Sequence, residues 1–410
     1  MTITRPVLIA AGGTGGHVVP ALAVAEALRE RRVPVLWAGT ERGLESRLVP
    51  RAGIKLHLIN VRGLRGQNLL DTLMGPLRLA RAVVQSVALL RRERVSAVLG
   101  MGGFVSGPVA LAALMLRIPL VLHEQNAIAG MTNSWLARFA SRVFSAFPDV
   151  FPAARSAETV GNPVPAGIVA DKLRINESHG QASHAQASTD TLHVLVIGGS
   201  RGAECLNRVL PDAMSAMAHL QDLITLRNPV VAVCHQAGAG RGDATRQRYA
   251  ESLQGHSTIS VTVEDFVDDM AVAYKEADLV ISRAGAMTVT ELAASGTPAL
   301  LVPYPYAVDD HQTANANWLV SVGAAVLLPE AQLDGQVLAR EIEQLLSDPA
   351  QLGAMASAAR KRFVPGAAAR VADALCDLAG ARGDVMSDTS MDESANDSTD
   401  QRQHQLGGIR

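Results

Sequence analysis

The sequence is poor in the residues that build several common kinds of protein. Three cysteines (Cys205, Cys234 and Cys376) occur in 410 residues, far apart, with no CxxC pair and no histidine cluster at ligand spacing. That excludes a disulfide framework and a zinc site, and leaves buried thiols in a reducing compartment. Aromatics make up only 3%, while Ala, Val, Leu and Gly abound, which favours parallel strands under tightly packed helices over a β-sandwich. A formal charge of −2 gives no basic field for nucleic acid. No uninterrupted run of about 18 apolar residues is present, which argues against a spanning helix. The start, Met-Thr-Ile-Thr-Arg-Pro, runs into a strand without a cleavage pattern, so a cytoplasmic protein is expected.

What is present is alternation. Short apolar runs at Val7–Ala10, Val35–Ala38, Ala97–Leu99 and Leu120–His123 read as buried strands, with helices predicted at Pro20–Glu30, Pro108–Leu116 and Asn133–Ala140. A second series follows at Leu192–Ile197, Val230–His235, Thr258–Val261, Leu279–Ser282 and Ala299–Val302. Such alternation implies right-handed βαβ crossovers in parallel sheets, and the length predicts two domains. The reading assigns residues 1–165 to one domain and 166–364 to the other. A further helix is predicted at about 365–380. Residues 176–191, rich in Ser, Ala, Gln and His, read as an inserted linker, and 381–410 as a polar, disordered tail.

Three turns carry the chemistry. Ala11-Gly12-Gly13-Thr14-Gly15-Gly16-His17 lies between a strand and a helix, where glycine lets a ligand approach the backbone and the helix start favours an anion. A dinucleotide fingerprint is excluded, because its third glycine falls on Val18. Gly198-Gly199-Ser200-Arg201-Gly202 repeats the arrangement in the second half, and paired turns of this kind fit a ligand held in a cleft between domains. The third turn, Ser282 to Glu291, offers another helix start. There Glu291 reads either as a bidentate acceptor of ribose hydroxyls or as a partner for helix-start N–H groups. Asp268-Asp269 precedes a helix and reads as a capping pair.

With these turns in hand the chain resembles the MurG family of N-acetylglucosaminyltransferases, which convert lipid I to lipid II. The motifs are Gly12-Gly13-Thr14-Gly15-Gly16-His17, Gly102-Gly103-Phe104-Val105-Ser106-Gly107-Pro108, His123-Glu124-Gln125-Asn126, Gly161-Asn162-Pro163-Val164, Gly198-Gly199-Ser200, Phe266-Val267-Asp268-Asp269-Met270, Ser282 to Glu291, and Asp309-Asp310-His311-Gln312. The resemblance spans residues 5 to 380 apart from the insertion. It implies a GT-B fold: two Rossmann-like α/β domains with parallel sheets facing across a cleft, the last helix crossing back to the first domain. It also implies backbone contact of Val267 with uracil, and Glu291 on the ribose. Ser200 and the helix start Ala286, Met287, Thr288, Val289 and Thr290 would meet ribose and diphosphate. Gln312 would read hydroxyls of the transferred sugar, with Asn126, Thr14, Gly15 and Gly16 reaching the donor from the first domain. Two positions depart from the family pattern: Pro165 stands where an arginine is usual, and Phe104 where many members have tyrosine. Arg201 or Arg283 is the candidate for the missing charge.

The expected reaction is inverting transfer from UDP-N-acetylglucosamine to the muramyl 4-hydroxyl of lipid I, with no cofactor or metal. His17 is the candidate base, its competing role being to bind the acceptor diphosphate. Glu124 is the alternative base, its competing role being to orient His17 or the loop. Between Arg62 and Arg94 lie seven Arg against two acidic residues. Leu69, Leu70, Leu73, Met74, Leu77, Leu79, Val83, Val84, Val87, Leu89 and Leu90 are interleaved with them. This stretch reads either as a peripheral attachment to the anionic inner membrane or as an amphipathic helix packed on the sheet. A UDP-sugar epimerase or antibiotic glycosyltransferase on the same architecture accounts for the donor turns, but not for His123-Glu124-Gln125-Asn126. A non-catalytic nucleotide-sugar sensor predicts binding without turnover.

Overall fold

The computed structural model describes residues 3–61, 74–169, 191–199, 202–223, 231–256 and 258–381. The first half forms one sheet from β1 (Val7–Ala11), β2 (Val35–Gly39), β3 (Lys55–Leu58), β4 (Ala97–Gly102), β5 (Leu120–Glu124), β6 (Arg142–Ser145) and β7 (Glu158–Thr159). Their order across the sheet is 3-2-1-4-5-6-7. The second half contributes β8 (Leu192–Ile197), β9 (Val231–Gln236), β10 (Ile259–Glu264), β11 (Leu279–Ser282), β12 (Ala299–Leu301) and β13 (Ala325–Leu327), in the order 10-9-8-11-12-13. Every described strand pair is parallel.

Helices cover both faces, which is why β1 and β4 are apolar and buried along their whole length, while β5 is buried throughout and ends in His123 and Glu124. In the first domain they are α1 (Gly15–Glu30), α2 (Glu45–Arg51), α3 (Gly75–Arg92), α4 (Ser106–Met115) and α5 (Met131–Leu136). The second carries α6 (Glu204–Leu223), α7 (Gly242–Ser252), α8 (Met270–Glu276), α9 (Ala286–Ser295), α10 (His311–Val320), α11 (Gly335–Leu346) and α12 (Pro349–Arg362). On α11 the residues Leu338, Ile342, Leu345 and Leu346 form one buried stripe, and the Asp334 carboxylate caps the helix by accepting from Val337 N–H at 2.8 Å. Asp348 does the same for α12, and Asp269 for α8.

A last helix, α13 (residues 367–381), follows α12. Val371, Ala372 and Leu375 are fully buried in the same cluster as Val7, Ile9 and Trp37 of the first domain. Arg370 donates to the Val160 carbonyl at 3.0 Å, and Arg31 pairs with Asp373 at 2.8 Å. The apolar contacts are the main tie, since burying a valine or leucine contributes about 1.5–3 kcal/mol and an exposed ion pair contributes under about 1 kcal/mol.

The order of each sheet fixes where a ligand belongs. The chain steps outward from β1 to β3, then returns to the other side of β1 as β4; β8 and β11 repeat this in the second sheet. At such a reversal the loops leaving the two central strands diverge and open a crevice at their carboxyl ends. The glycine turns leave β1, β4, β8 and β11.

Candidate active site in the interdomain cleft

Helix α1 opens at Gly15, five residues before the predicted start at Pro20. Pro20 sits inside the helix near its beginning, where its missing N–H removes only the bond back to Gly16. Gly15, Gly16 and His17 therefore form the first turn, with Thr14 as the N-cap residue. The Thr14 side chain makes no capping bond, and no acidic residue sits in that turn. A helix start of this kind presents amides and a partial positive charge to an anion. The turn is braced from behind by Glu45, which is fully buried and accepts from Gly13 N–H at 2.9 Å and from Thr40 N–H and Oγ1 at 2.8 and 2.7 Å. Sequence reasoning missed Glu45, whose only signal is a carboxylate among glycines.

The turn after β4 packs directly on the first. A Cβ on Gly103, whose φ is +78°, would lie 2.2 Å from the Gly12 carbonyl oxygen, and one on Gly102 would lie 2.7 Å from His17 Nδ1. Glycine is required at both, because backbone meets backbone at one and the imidazole at the other. His17 Nδ1 is 2.9 Å from Gln125 Oε1. Glu124 is buried, and its two oxygens accept from Asn126 N–H and Nδ2 and from Gly130 N–H and Asn133 Nδ2, at 2.8 to 3.2 Å. With four donors on it, this carboxylate has no lone pair left for a substrate proton. The geometry corrects its reading as an alternative base and leaves it holding the loop.

On the opposite wall, α9 starts at Ala286 after Gly285 as N-cap residue, with no side-chain cap and no acidic residue in its first turn. Of the run Ala286 to Thr290, only the first three amides face outward from the helix. Val289 N–H is bonded to the Gly285 carbonyl and its side chain is fully buried in the core. The Thr290 hydroxyl donates to Ala286 O and accepts from Asn162 Nδ2. Val289 and Thr290 thus serve packing and the joining of the two walls, because amides past the first turn are bonded within the helix.

Glu291, one turn further on, is partly buried, and its Oε2 accepts from the Tyr274 hydroxyl at 3.0 Å. Its partner is therefore a tyrosine of α8 and not a helix-start amide. Burial pushes its carboxyl up to about 7, against the lowering effect of the Tyr274 bond. Val267 is half-buried on the loop between β10 and α8. Gln312 lies in the first turn of α10, with Oε1 accepting from Tyr304 N–H at 2.9 Å, so its amide nitrogen is the end left to donate. Ser200 and Arg201 lie outside the described residues. Arg283 is engaged: it pairs with Glu330 at 2.6 Å, donates to the Val302 and Pro303 carbonyls, and stacks 5.4 Å from the Tyr304 ring centroid. It braces the segment leading to Gln312 and is corrected as a source of missing charge.

The two walls are joined at one edge. Asn315, fully buried on α10, accepts from Ala127 N–H at 2.8 Å and donates to Asn126 Oδ1 at 3.3 Å and to Ala284 O at 3.2 Å. Asn162 donates to the Gln125 carbonyl and to Thr290 Oγ1, at 3.1 and 3.0 Å. These bonds bring the His123-Glu124-Gln125-Asn126 segment beside the start of α9.

A second feature flanks the first-domain turns. A groove of about 410 Å³ is lined by Arg78, Leu79, Phe104, Leu111, Met131 and Trp135 among others. Leu77, Val84, Phe104, Met115, Met131 and Phe139 are each more than half exposed, and Arg78, Arg81, Arg91, Arg92 and Arg138 are exposed on the same helices and the turn after α5. By contrast Leu89 and Leu90 belong to the core. The stretch from Arg62 to Arg94 is therefore neither wholly surface nor wholly core; Leu69, Leu70 and Leu73 lie outside the described residues.

Two parallel-sheet Rossmann-like domains facing across a cleft make up the GT-B fold, the architecture of a large class of glycosyltransferases. The chain belongs to glycosyltransferase family 28: it matches that family's N-terminal domain over residues 7–145 and its C-terminal domain over residues 193–371. A relative from Alkalilimnicola ehrlichii is 50% identical over 370 residues, covering 90% of this chain and 98% of its own. One from Methylococcus capsulatus is 45% identical over 379 residues, covering 92% and 100%. Both are named UDP-N-acetylglucosamine--N-acetylmuramyl-(pentapeptide) pyrophosphoryl-undecaprenol N-acetylglucosamine transferase. The crystal structure of Acinetobacter baumannii MurG is 38% identical with a TM-score of 0.74, covering 91% of this chain and 99% of that one. A putative UDP-N-acetylglucosamine 2-epimerase from Listeria monocytogenes, 16% identical with a TM-score of 0.61, shares the fold.

Proposed function

We infer that this chain transfers N-acetylglucosamine from UDP-N-acetylglucosamine to the 4-hydroxyl of the N-acetylmuramyl group of lipid I, with inversion, forming lipid II for peptidoglycan. The observation that carries this reading is the pair of uncapped helix starts on facing walls, between which a diphosphate is held by main-chain amides. His17 Nε2 takes the proton of the acceptor hydroxyl as its oxygen bonds to the anomeric carbon. The carbon–oxygen bond to the diphosphate breaks, and its electron pair leaves with UDP. Amides of Ala286, Met287 and Thr288 stabilise the growing negative charge, as positioned dipoles do most strongly where charge develops.

Around that centre, Glu291 accepts the ribose hydroxyls and the Val267 backbone meets uracil. Ser200 contacts the ribose–diphosphate, and Thr14, Gly15, Gly16 and Asn126 reach in from the first domain. Residues 1–165 with α13 serve the acceptor and the membrane, and residues 166–364 serve the donor. The decisive assay supplies radiolabelled UDP-N-acetylglucosamine and a short-chain lipid I analogue. Label entering the lipid product is expected; UDP release indifferent to the acceptor would move the protein to the epimerase class.

Gln312 sets sugar selectivity through its free amide nitrogen. Gln312→Ala is expected to cut discrimination between N-acetylglucosamine and its 4-epimer by about tenfold or more, since a site built to bond a hydroxyl rejects analogues that misplace it. Competition between the two UDP-sugars measures this, and unchanged selectivity would remove the assignment.

No described helix is long and apolar enough to cross a membrane. The exposed apolar and basic side chains of α3, α4 and α5 instead attach the protein peripherally to the cytoplasmic face of the inner membrane. Apolar insertion combines there with about 1 kcal/mol per basic residue near an anionic surface. Replacing Leu77 and Val84 together by aspartate is expected to lower co-sedimentation with anionic phospholipid vesicles by about tenfold, with water-soluble acceptor turnover retained. Equal sedimentation of variant and parent would place the attachment elsewhere.

A further inference from the structure

Behind His17 runs a chain of buried side chains whose hydrogen-bond directions can be read without ambiguity, starting from a carbonyl. His123 is fully buried, and its Nε2 lies 2.9 Å from the Gly161 carbonyl oxygen. A carbonyl only accepts, so His123 carries its proton on Nε2, and its Nδ1 is a bare acceptor. That acceptor is 3.0 Å from Gln125 Nε2. The same nitrogen is 3.0 Å from the His123 carbonyl oxygen and 3.9 Å from Met101 Sδ. Three acceptors on one side identify that end of the Gln125 amide as NH₂, because the flipped amide would set its oxygen against a carbonyl. Gln125 Oε1 is thereby turned to His17 and can only accept from Nδ1, 2.9 Å away.

We propose that His123 and Gln125 are positioning residues that lock His17 in its Nδ1–H tautomer, so that Nε2 meets the acceptor hydroxyl as a bare base. The proton assignment is inherited bond by bond from the Gly161 carbonyl, through His123 and Gln125, to His17. No proton travels along the chain. When His17 Nε2 takes the hydroxyl proton the ring becomes an imidazolium, and its Nδ1–H···Oε1 bond persists and strengthens. An imidazole in water favours the opposite tautomer, with the proton on Nε2, which would face the acceptor hydroxyl as a donor and could not remove its proton. Gly161 holds its end of the chain in place: its φ is +83°, and a Cβ there would lie 2.9 Å from the Val364 carbonyl oxygen.

Burial supports the starting point, since it holds the His123 imidazole down to about 4, against the opposing effects of the Gly161 bond and of Glu124, and so keeps the ring neutral. Among the described residues the one side-chain partner of His17 is Gln125, while Glu45 is engaged by Gly13 and Thr40, Glu124 by its four donors, and Glu291 by Tyr274.

This inference rests on His17 being the base of the proposed transfer, and its test separates the two. The full chain, labelled with ¹⁵N in its 11 histidines, is examined by two-bond ¹H–¹⁵N correlation above the imidazole titration, with His17→Gln identifying the His17 signals. The Nδ1–H pattern is expected for His17 and the Nε2–H pattern for His123. In Gln125→Ala the His17 signals are expected to move to the Nε2–H pattern. For the same variant kcat is expected to fall about 30-fold, with KM for UDP-N-acetylglucosamine and UDP binding unchanged. A wild-type His17 that carries its proton on Nε2 overturns the relay whatever the activity, and so does a Gln125→Ala enzyme with wild-type kcat. Should Gln125→Ala fail to fold, the wild-type spectrum decides alone. Absence of sugar transfer by the wild-type chain would instead defeat the enzymatic reading.

Discussion

Replacing His17 with alanine is expected to lower kcat at least about 100-fold while the protein still binds UDP-N-acetylglucosamine, because positioned proton transfer contributes about 10²–10⁴-fold. The substitution isolates the imidazole unusually well. His17 is the third residue of α1, so alanine keeps the helix, and the amides of Gly15 and Gly16 stay where they are. The loops behind it are held by Glu45 and by the Gly12–Gly103 backbone contact, neither of which involves the ring. The rival role, binding the acceptor's diphosphate, predicts a different split: KM for the acceptor rises and kcat at saturation is preserved. Steady-state kinetics with both substrates varied separates the two. A variant with wild-type kcat would take His17 out of proton transfer.

Much of the frame was legible in the sequence, because buried parallel strands advertise themselves as short apolar runs. Val7–Ala10 and Leu279–Ser282 differ from β1 and β11 by at most a residue. The strands without a separate sequence signal are β3, β6, β7 and β13, of which β7 is two exposed residues. Strands β3 and β6 are polar or half-exposed where they flank other strands (Lys55 and His57 in one, Arg142 in the other), and β13 is only three residues long. The sequence points to a later start for α1 because Pro20 is most at home in a first turn, whereas the glycines themselves form that turn. The cleft turns were visible because glycine is required wherever backbones touch, as at Gly103. What stayed hidden is partnership across the fold. Glu45 against Gly13, Tyr274 against Glu291 and Gly161 against His123 are 32, 17 and 38 residues apart in the chain. No spacing rule links such pairs. The Arg283–Glu330 pair likewise showed that a plausible cation was already engaged.

The second large effect is expected at Glu291, and its sign follows from its environment. Burial raises the carboxyl to about 7 in the unliganded protein, so near neutrality it is roughly half protonated. Only the ionised group can accept from both ribose hydroxyls at once, and those hydroxyls in turn favour ionisation. Donor binding must therefore release a proton, and affinity must rise with pH through the titration of the free site. Between about pH 6 and pH 8 the ionised fraction changes by about tenfold, and the affinity for UDP-N-acetylglucosamine should follow it. The ligand's own phosphates do not titrate in that window. Glu291→Gln keeps the shape and loses the charge: binding at about pH 8 is expected to weaken by about 100-fold, since hydrogen bonds to a charged group contribute about 1.5–3 kcal/mol each, and the pH dependence should vanish. Tyr274→Phe removes the donor that lowers the Glu291 titration, so its affinity curve should keep its shape and move to higher pH. Calorimetry in buffers of different ionisation enthalpy reads both the affinity and the proton count. Flat wild-type affinity across that range, or a glutamine variant that binds as tightly as the parent, would show that the carboxylate does not hold the donor. Its raised titration would then reflect only its burial beside Tyr274.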